Sequence, residues 1–246
     1  MDLFKESGLS VDDAWALRRK LAVMCRIVGL QGSIGLFGHI SLRVPGTAIV
    51  LITPGAGSEK TEVRADEIFV FDLDGKIHYH PGGDRPMQTP AEWRIHTQIH
   101  RDRPEIGCVA HLHAPASTLL GIANKPYAPV YSRGALFKDG VPTWNNPRLV
   151  LNDEMAVSLS HALGNKLACQ MRGHGSVVVG DTLERALVAC TYMEENVRFQ
   201  LDAESIGGAV PLTDAEIDDC GRGAFGIAQR LWDFWERRVV KGGIPL

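Results

Sequence analysis

The sequence predicts a single α/β domain, on three observations. Short runs of strand length recur along the chain, longer segments with apolar residues at helical spacing fall between them, and no linker or repeat divides the pattern. A length of 246 residues alone allows one large domain or two small ones. The unbroken alternation favours one domain over residues 1–246.

Each element follows from its local pattern. Residues 11–30 carry apolar residues at helical spacing behind the acidic first turn Asp12-Asp13 and read as a helix ending near Gly29. Residues 39–44 and 48–53 read as strands separated by the turn Pro45-Gly46. Residues 67–72 and 76–79 flank Leu73-Asp74-Gly75, a hairpin turn. A helix runs from 90 to about 100, with Pro104 in the following connection. A strand spans 107–113 and a helix 114–123. The Pro-, Asn- and Gly-rich stretch 124–150 reads as irregular, with a short strand at 129–132. A helix at 152–163 is stopped by Gly164. Strands at 168–171 and 176–179 surround Gly173-His174-Gly175. Residues 182–201 form a long helix, and 214–238 are largely helical.

Composition narrows the function classes. A formal net charge of -3 with scattered lysines and arginines gives no electrostatic reason to expect nucleic acid or an anionic membrane. Five well-separated cysteines without a Cys-x-x-Cys favour free thiols in a reducing compartment. The start Met1-Asp2-Leu3-Phe4 has no secretory pattern, and no apolar run approaches the roughly 18 residues of a membrane helix. A cytoplasmic protein is expected.

The chemistry is concentrated in histidines. His111 and His113 close the run Ile106-Gly107-Cys108-Val109-Ala110, and residues two apart on a strand face the same way. Both imidazoles therefore leave one side of the sheet, with Leu112 packed on the other, and together they make half a site for a divalent metal. His174, set between two glycines that allow a sharp turn, is the candidate third ligand; alone it reads as a loop histidine. Three histidines with open coordination positions suit a catalytic rather than a structural metal. Glu92, near the start of a helix, is a fourth ligand or a general acid/base, although acidic residues also favour helix first turns for dipole reasons. His96 and His100 follow Glu92 at i+4 spacing on one helix face, for which a partly solvated surface is the preferred reading over ligation.

Five motifs in order carry a family resemblance. They are Gly38-His39-Ile40-Ser41, Leu51-Ile52-Thr53-Pro54-Gly55, Pro90-Ala91-Glu92-Trp93-Arg94-Ile95-His96, Val109-Ala110-His111-Leu112-His113 and Arg172-Gly173-His174-Gly175. In this order they resemble the class II aldolase/adducin family over about residues 15–205, leaving 206–246 as a helical C-terminal extension. The resemblance implies a three-layer α/β/α domain with a mostly antiparallel central sheet, and a homotetramer with sites at subunit interfaces. It implies a metal on His111, His113 and His174, Glu92 as the acid/base, and Tyr131 offered to a neighbouring subunit's site. His39, Ser41, Thr53 and Gly55 become substrate-binding positions by the same resemblance. Ligand type alone does not choose among zinc, manganese, iron and cobalt, and the resemblance puts zinc and manganese first.

Departures from the family pattern redirect the substrate. Sugar-phosphate aldolases of the family carry Gly-Asn where this chain has Gly38-His39, and Ser-Ser where it has Pro90-Ala91. Proline lacks the N–H and alanine the hydroxyl that bind a phosphate dianion. The expected substrate is therefore a small-molecule carboxylate rather than a sugar phosphate. The non-phosphate branch of the family resembles decarboxylases of hydroxylated aromatic dicarboxylic acids, such as a dihydroxyphthalate or a hydroxypyridine dicarboxylate. Arg43 and Arg133 are candidates for gripping the carboxylate, and each equally suits a surface ion pair. Alternatives are an aldolase acting on a non-phosphorylated hydroxy-keto compound, a non-catalytic adducin-like module and a non-haem iron oxygenase. Trp232, Phe234 and Trp235 are candidates to close the pocket, with packing the preferred reading at helical spacing.

Overall fold

A computed structural model describes residues 10–55, 58–81 and 87–241, so Ala56 and Gly57 beside the Thr53-Pro54-Gly55 motif lie outside the described residues, as does the N-terminal segment. The helices are α1 (Val11–Leu30), α2 (Trp93–Asp102), α3 (Pro115–Ile122), α4 (Asp153–Leu163), α5 (Leu183–Ser205), α6 (Asp214–Gly221) and α7 (Ala228–Lys241). The strands are β1 (His39–Arg43), β2 (Ile49–Ile52), β3 (Phe69–Asp72), β4 (Ile77–Tyr79), β5 (Cys108–Leu112), β6 (Thr143–Trp144), β7 (Ala168–Met171) and β8 (Gly175–Gly180). They form one eight-stranded sheet in the order β4-β3-β2-β1-β5-β8-β7-β6, antiparallel except for the β6–β7 pair. This is a single α/β domain with a mostly antiparallel central sheet.

Local chemistry fixes the helix starts. Ser10 Oγ accepts from the Asp13 N–H while the Asp13 carboxylate accepts from the Ser10 N–H, a reciprocal cap on α1. Asn152 and Thr182 cap α4 and α5 with one bond each, accepting from the Met155 and Arg185 N–H groups. Strand alternation then sorts the core into two layers. On β5, Cys108, Ala110 and Leu112 enter a cluster with α1, α5 and Trp232 of α7, while Val109 meets Ile95 and Ile99 of α2 and Leu159 of α4. His111 alternates with Ala110 and Leu112 and so leaves the sheet on the α2 side, at the centre of the molecule.

Two expectations need correction. Residues 129–132 form no strand: the N–H groups of Val130 and Tyr131 donate to Asn196 Oδ1, and that of Ala128 donates to Gln200 Oε1. Asn196 and Gln200 return their amides to the carbonyls of Ala128 and Pro126, so two side chains of α5 take the place of a partner strand. The chain then turns into a 3-10 segment, Ser132–Phe137. The unexpected strand is β6, which owes its form to pairing with Gln170 and Met171.

Candidate active site

β1 and β5 pair in a register that sets His39 opposite His111. β5 delivers His111 and, just past its end, His113; the tight turn into β8 delivers His174. Gly175 allows that turn, since a Cβ there would sit 2.2 Å from the Leu112 carbonyl oxygen. The three imidazoles converge with ring centroids 4.8, 5.0 and 5.2 Å apart, each pair nearly perpendicular. A ligand-type atom of each lies within 4.8 Å of the other two. Glu92, at the N-cap of α2, lies among them, its Oε2 3.4 Å from His111 Nε2 and 3.5 Å from His174 Nε2. Its Oε1 accepts from the Val150 N–H at 2.8 Å.

The donor set fits a divalent cation. His111 Nδ1 lies 3.2 Å from the Ser176 carbonyl oxygen, which can only accept, so Nδ1 carries the proton and Nε2 keeps its lone pair. His113 Nε2 is 3.0 Å from that lone pair. Both ring nitrogens of His174 are buried without a hydrogen-bond partner among the described residues. Burial, reinforced by His111 and His174, pushes the His113 imidazole down to about 4, so it is neutral. Burial alone would raise the Glu92 carboxyl, but the His111 and His174 rings beside its Oε2 and the Val150 N–H donating to its Oε1 outweigh it, and the net shift is downward.

The expected solvated face of α2 is the largest correction at the site. His96 and His100 are fully buried against β1. His96 Nε2 lies 2.6 Å from His39 Nδ1, and His96 Nδ1 lies 2.7 Å from Ser41 Oγ. His100 Nε2 lies 2.9 Å from the same hydroxyl, and His100 Nδ1 3.1 Å from the Ile106 carbonyl oxygen. Polar side chains of β1 face polar side chains of α2, so the helix buries a histidine stripe next to its isoleucines.

The other expected substrate residues are placed as follows. Ser41 is closed in by His96 and His100 and presents no surface to a ligand. Arg43 lies four residues along β1 from His39, donating to the carbonyls of Thr47 and His100. It lines a separate groove of about 730 Å³ with Pro104–Gly107 and Asp181–Glu184 that holds none of the histidines. Thr53 is buried and accepts from the Ile40 N–H. Gly55 packs on the backbone of Thr89 and Pro90, where a Cβ would come within 2.7 Å, and its carbonyl is held by the buried Lys60 ammonium. Gly55 thus braces the segment leading into Glu92, and Thr53 ties its own segment to β1. Arg133 is exposed and ion-paired with Glu195 at 2.9 Å. Tyr131 stands edge-on to Phe199 of α5, and no contact among the described residues ties it to the histidines of its own chain. Trp232 is core, Trp235 is partly buried against it, and Phe234 is exposed beneath the Arg238 guanidinium. The five cysteines are free thiols.

An eight-stranded mostly antiparallel sheet between helical layers, holding three histidines around one buried carboxylate, defines an α/β protein with a preassembled acid–imidazole centre. The family model for the class II aldolase and adducin N-terminal domain matches residues 19–201. The chain belongs to the class II aldolase and adducin family. It is 31% identical over 228 residues to a 3,4-dihydroxyphthalate decarboxylase of Arthrobacter keyseri, covering 87% of this chain and 90% of the relative. A 3,4-dihydroxyphthalate decarboxylase of Rhodococcus jostii is 28% identical, covering 84% and 88%. Among solved structures, an aldolase II superfamily protein from Pseudomonas syringae superposes with a TM-score of 0.83 at 24% identity, over 97% of both chains.

Proposed function

We propose that the protein is a metal-dependent carbon–carbon lyase that decarboxylates a hydroxylated aromatic acid of the dihydroxyphthalate type. The observation that carries the reading is the convergence of His111, His113 and His174, with Glu92 beside His111 and His174 and both His174 ring nitrogens without a partner among the described residues. The resemblance to two 3,4-dihydroxyphthalate decarboxylases supports the substrate class. So does the segment before Glu92, where Pro90 has no N–H and neither Pro90 nor Ala91 a side-chain hydroxyl to offer a phosphate.

In the reaction the bond from the ring carbon to its carboxylate breaks and carbon dioxide leaves. Before that, the ring carbon takes up one proton while the neighbouring hydroxyl gives up its own, which makes that oxygen a ketone. The pair from the breaking bond then flows onto it, and regaining a proton restores the phenol. A divalent metal held by His111, His113 and His174, with zinc or manganese first and iron or cobalt next, supplies Lewis-acid stabilisation of that oxygen when bound. Glu92 moves the proton. The Val150 N–H fixes its Oε1, which leaves Oε2 as the atom facing the histidines and the substrate. At 5% exposure Glu92 is shielded from bulk water, so the proton reaching the ring carbon comes from a positioned group.

The test is to load the purified protein with zinc or manganese and incubate it with 3,4-dihydroxyphthalate. Carbon dioxide should be released in step with loss of the substrate. His111→Ala and His174→Ala should each lower bound metal below one equivalent and abolish release. Full turnover by either variant would sink the metal mechanism, and reversible aldehyde release from a hydroxy-keto acid would favour an aldolase instead.

A further inference from the structure

The chain of contacts from His39 through His96 and Ser41 to His100 ends on a group with a fixed hydrogen-bond sense, and that sense can be followed back to the cavity. The Ile106 carbonyl oxygen can only accept, so His100 Nδ1, 3.1 Å away, carries its proton. His96 and His100 are fully buried, and burial lowers both below the ordinary histidine range, His100 to about 4; at His96 it outweighs the opposing pull of the Glu92 charge and the Val109 carbonyl. Each ring is therefore neutral and has one donor nitrogen and one acceptor.

From His100 the assignment is forced step by step. Its Nε2 is an acceptor, so the single Ser41 hydroxyl proton is donated to it across 2.9 Å. That hydroxyl oxygen then accepts from His96 Nδ1–H across 2.7 Å. His96 Nε2 must accept in turn, and His39 Nδ1–H donates to it across 2.6 Å. His39 is left with an unprotonated Nε2, which has no hydrogen-bond partner among the described residues. The reverse sense would set a bare nitrogen against the carbonyl lone pairs of Ile106. His39 also groups with Glu92 and His111, with one ligand-type atom of each within 4.8 Å of the others, so its ring borders the reacting centre.

Resting on the decarboxylase reading above, we infer that His39 is a specificity-determining residue: it offers the substrate cavity a lone pair and never an N–H, and so selects an acid with a second free hydroxyl, apart from the oxygen that takes up the charge. A hydroxyl proton completes the chain. An anionic oxygen, whether of phosphate or of a second carboxylate, meets a lone pair at this position and is rejected. His96, Ser41 and His100 are positioning residues that act only by fixing which nitrogen of His39 bears the proton.

The first measurement needs no variant and no substrate. In protein labelled with 15N in the histidine rings, long-range 15N–1H correlations should find His39 protonated on Nδ1 and bare on Nε2, and Ser41→Ala should convert it to a mixture of tautomers. A wild-type His39 protonated on Nε2, or on both nitrogens at neutral pH, overturns the inference whatever the substrate is. The second measurement compares binding of 3,4-dihydroxyphthalate with that of its O-methyl ethers to the metal-loaded protein. Wild type should lose about tenfold or more on methylation of the hydroxyl not adjacent to the reacting carbon, whereas His39→Asn should lose less than about threefold, with bound metal unchanged. Equal losses in the two proteins overturn the inference and leave the decarboxylase reading standing, as does loss of metal from His39→Asn, which makes His39 a ligand. Absence of decarboxylation with the Nδ1–H tautomer intact sinks the reading of the reaction and supports the acceptor assignment of His39.

Discussion

A histidine's role in this molecule depends on what its second nitrogen meets. His111 is held by the Ser176 carbonyl and so points a bare Nε2 at Glu92, while His100 is held by Ile106 and starts a chain that ends beside the same carboxylate. The buried rings also make stability depend on pH. His39, His96 and His100 all titrate below the ordinary histidine value of 6.5 because burial disfavours their charged forms, and His100 does so at about 4. Between those values the unfolded chain binds protons that the folded chain refuses, so stability is full above about pH 6.5 and falls as the pH drops toward 4. Each such ring contributes a slope of about 1.4 kcal/mol per pH unit inside the window. Urea unfolding at a series of pH values should show this loss, and His100→Gln should reduce the slope by about one proton. An unchanged slope in that variant would mean that burial does not lower the titration of His100 in the folded chain.

At the scale of elements, the close approach of β5 and β8 builds the face that carries the three histidines, and Gly175 is what permits it. A methyl group there meets the Leu112 carbonyl oxygen at 2.2 Å, so the strands must part where His113 and His174 leave them. Gly180, at the other end of β8, is equally tight against the Ala186 nitrogen at 2.6 Å but lies away from the histidines. Both Gly175→Ala and Gly180→Ala should cost about 1–3 kcal/mol in urea unfolding. Only Gly175→Ala should also weaken zinc binding, by about tenfold or more, measured by competition with a chelating dye. Equal zinc affinities in the two variants would contradict this role for the turn. The same elements show what the sequence makes legible. The helix over 11–30 matches α1 residue for residue, and the alternation in β5 puts His111 and His113 on one face because both patterns are local. β6 was not legible, since two residues become a strand only through Gln170 and Met171, remote in sequence. Helical spacing placed Glu92, His96 and His100 on one face, yet what covers that face is set by β1, whose His39 and Ser41 turn an apparently solvated stripe into a buried network.

For the whole molecule, the remaining question is what completes the site on its open side. Phe37 stacks on His113 at 6.2 Å and is 58% exposed, and Phe199 beside Tyr131 is 47% exposed, so apolar rings near the centre and along α5 lack cover within one chain. Tyr131 has no contact with the histidines of its own chain among the described residues, which is the arrangement expected of a residue that serves a neighbour. We expect a homotetramer in which Tyr131 of one subunit reaches the site built by His111, His113, His174 and Glu92 of the next. Sedimentation should give a mass of four chains. Glu92→Gln and Tyr131→Phe should each be nearly inactive as homotetramers, because each lacks one group at every site. If each site takes Glu92 from one chain and Tyr131 from the next, random mixing of the two variants restores both groups at about a quarter of the sites. Unfolding and refolding an equimolar mixture should therefore recover about a quarter of wild-type decarboxylation. Recovery near zero, with mixed tetramers verified by differential tagging, would place both groups on one chain and remove the shared site.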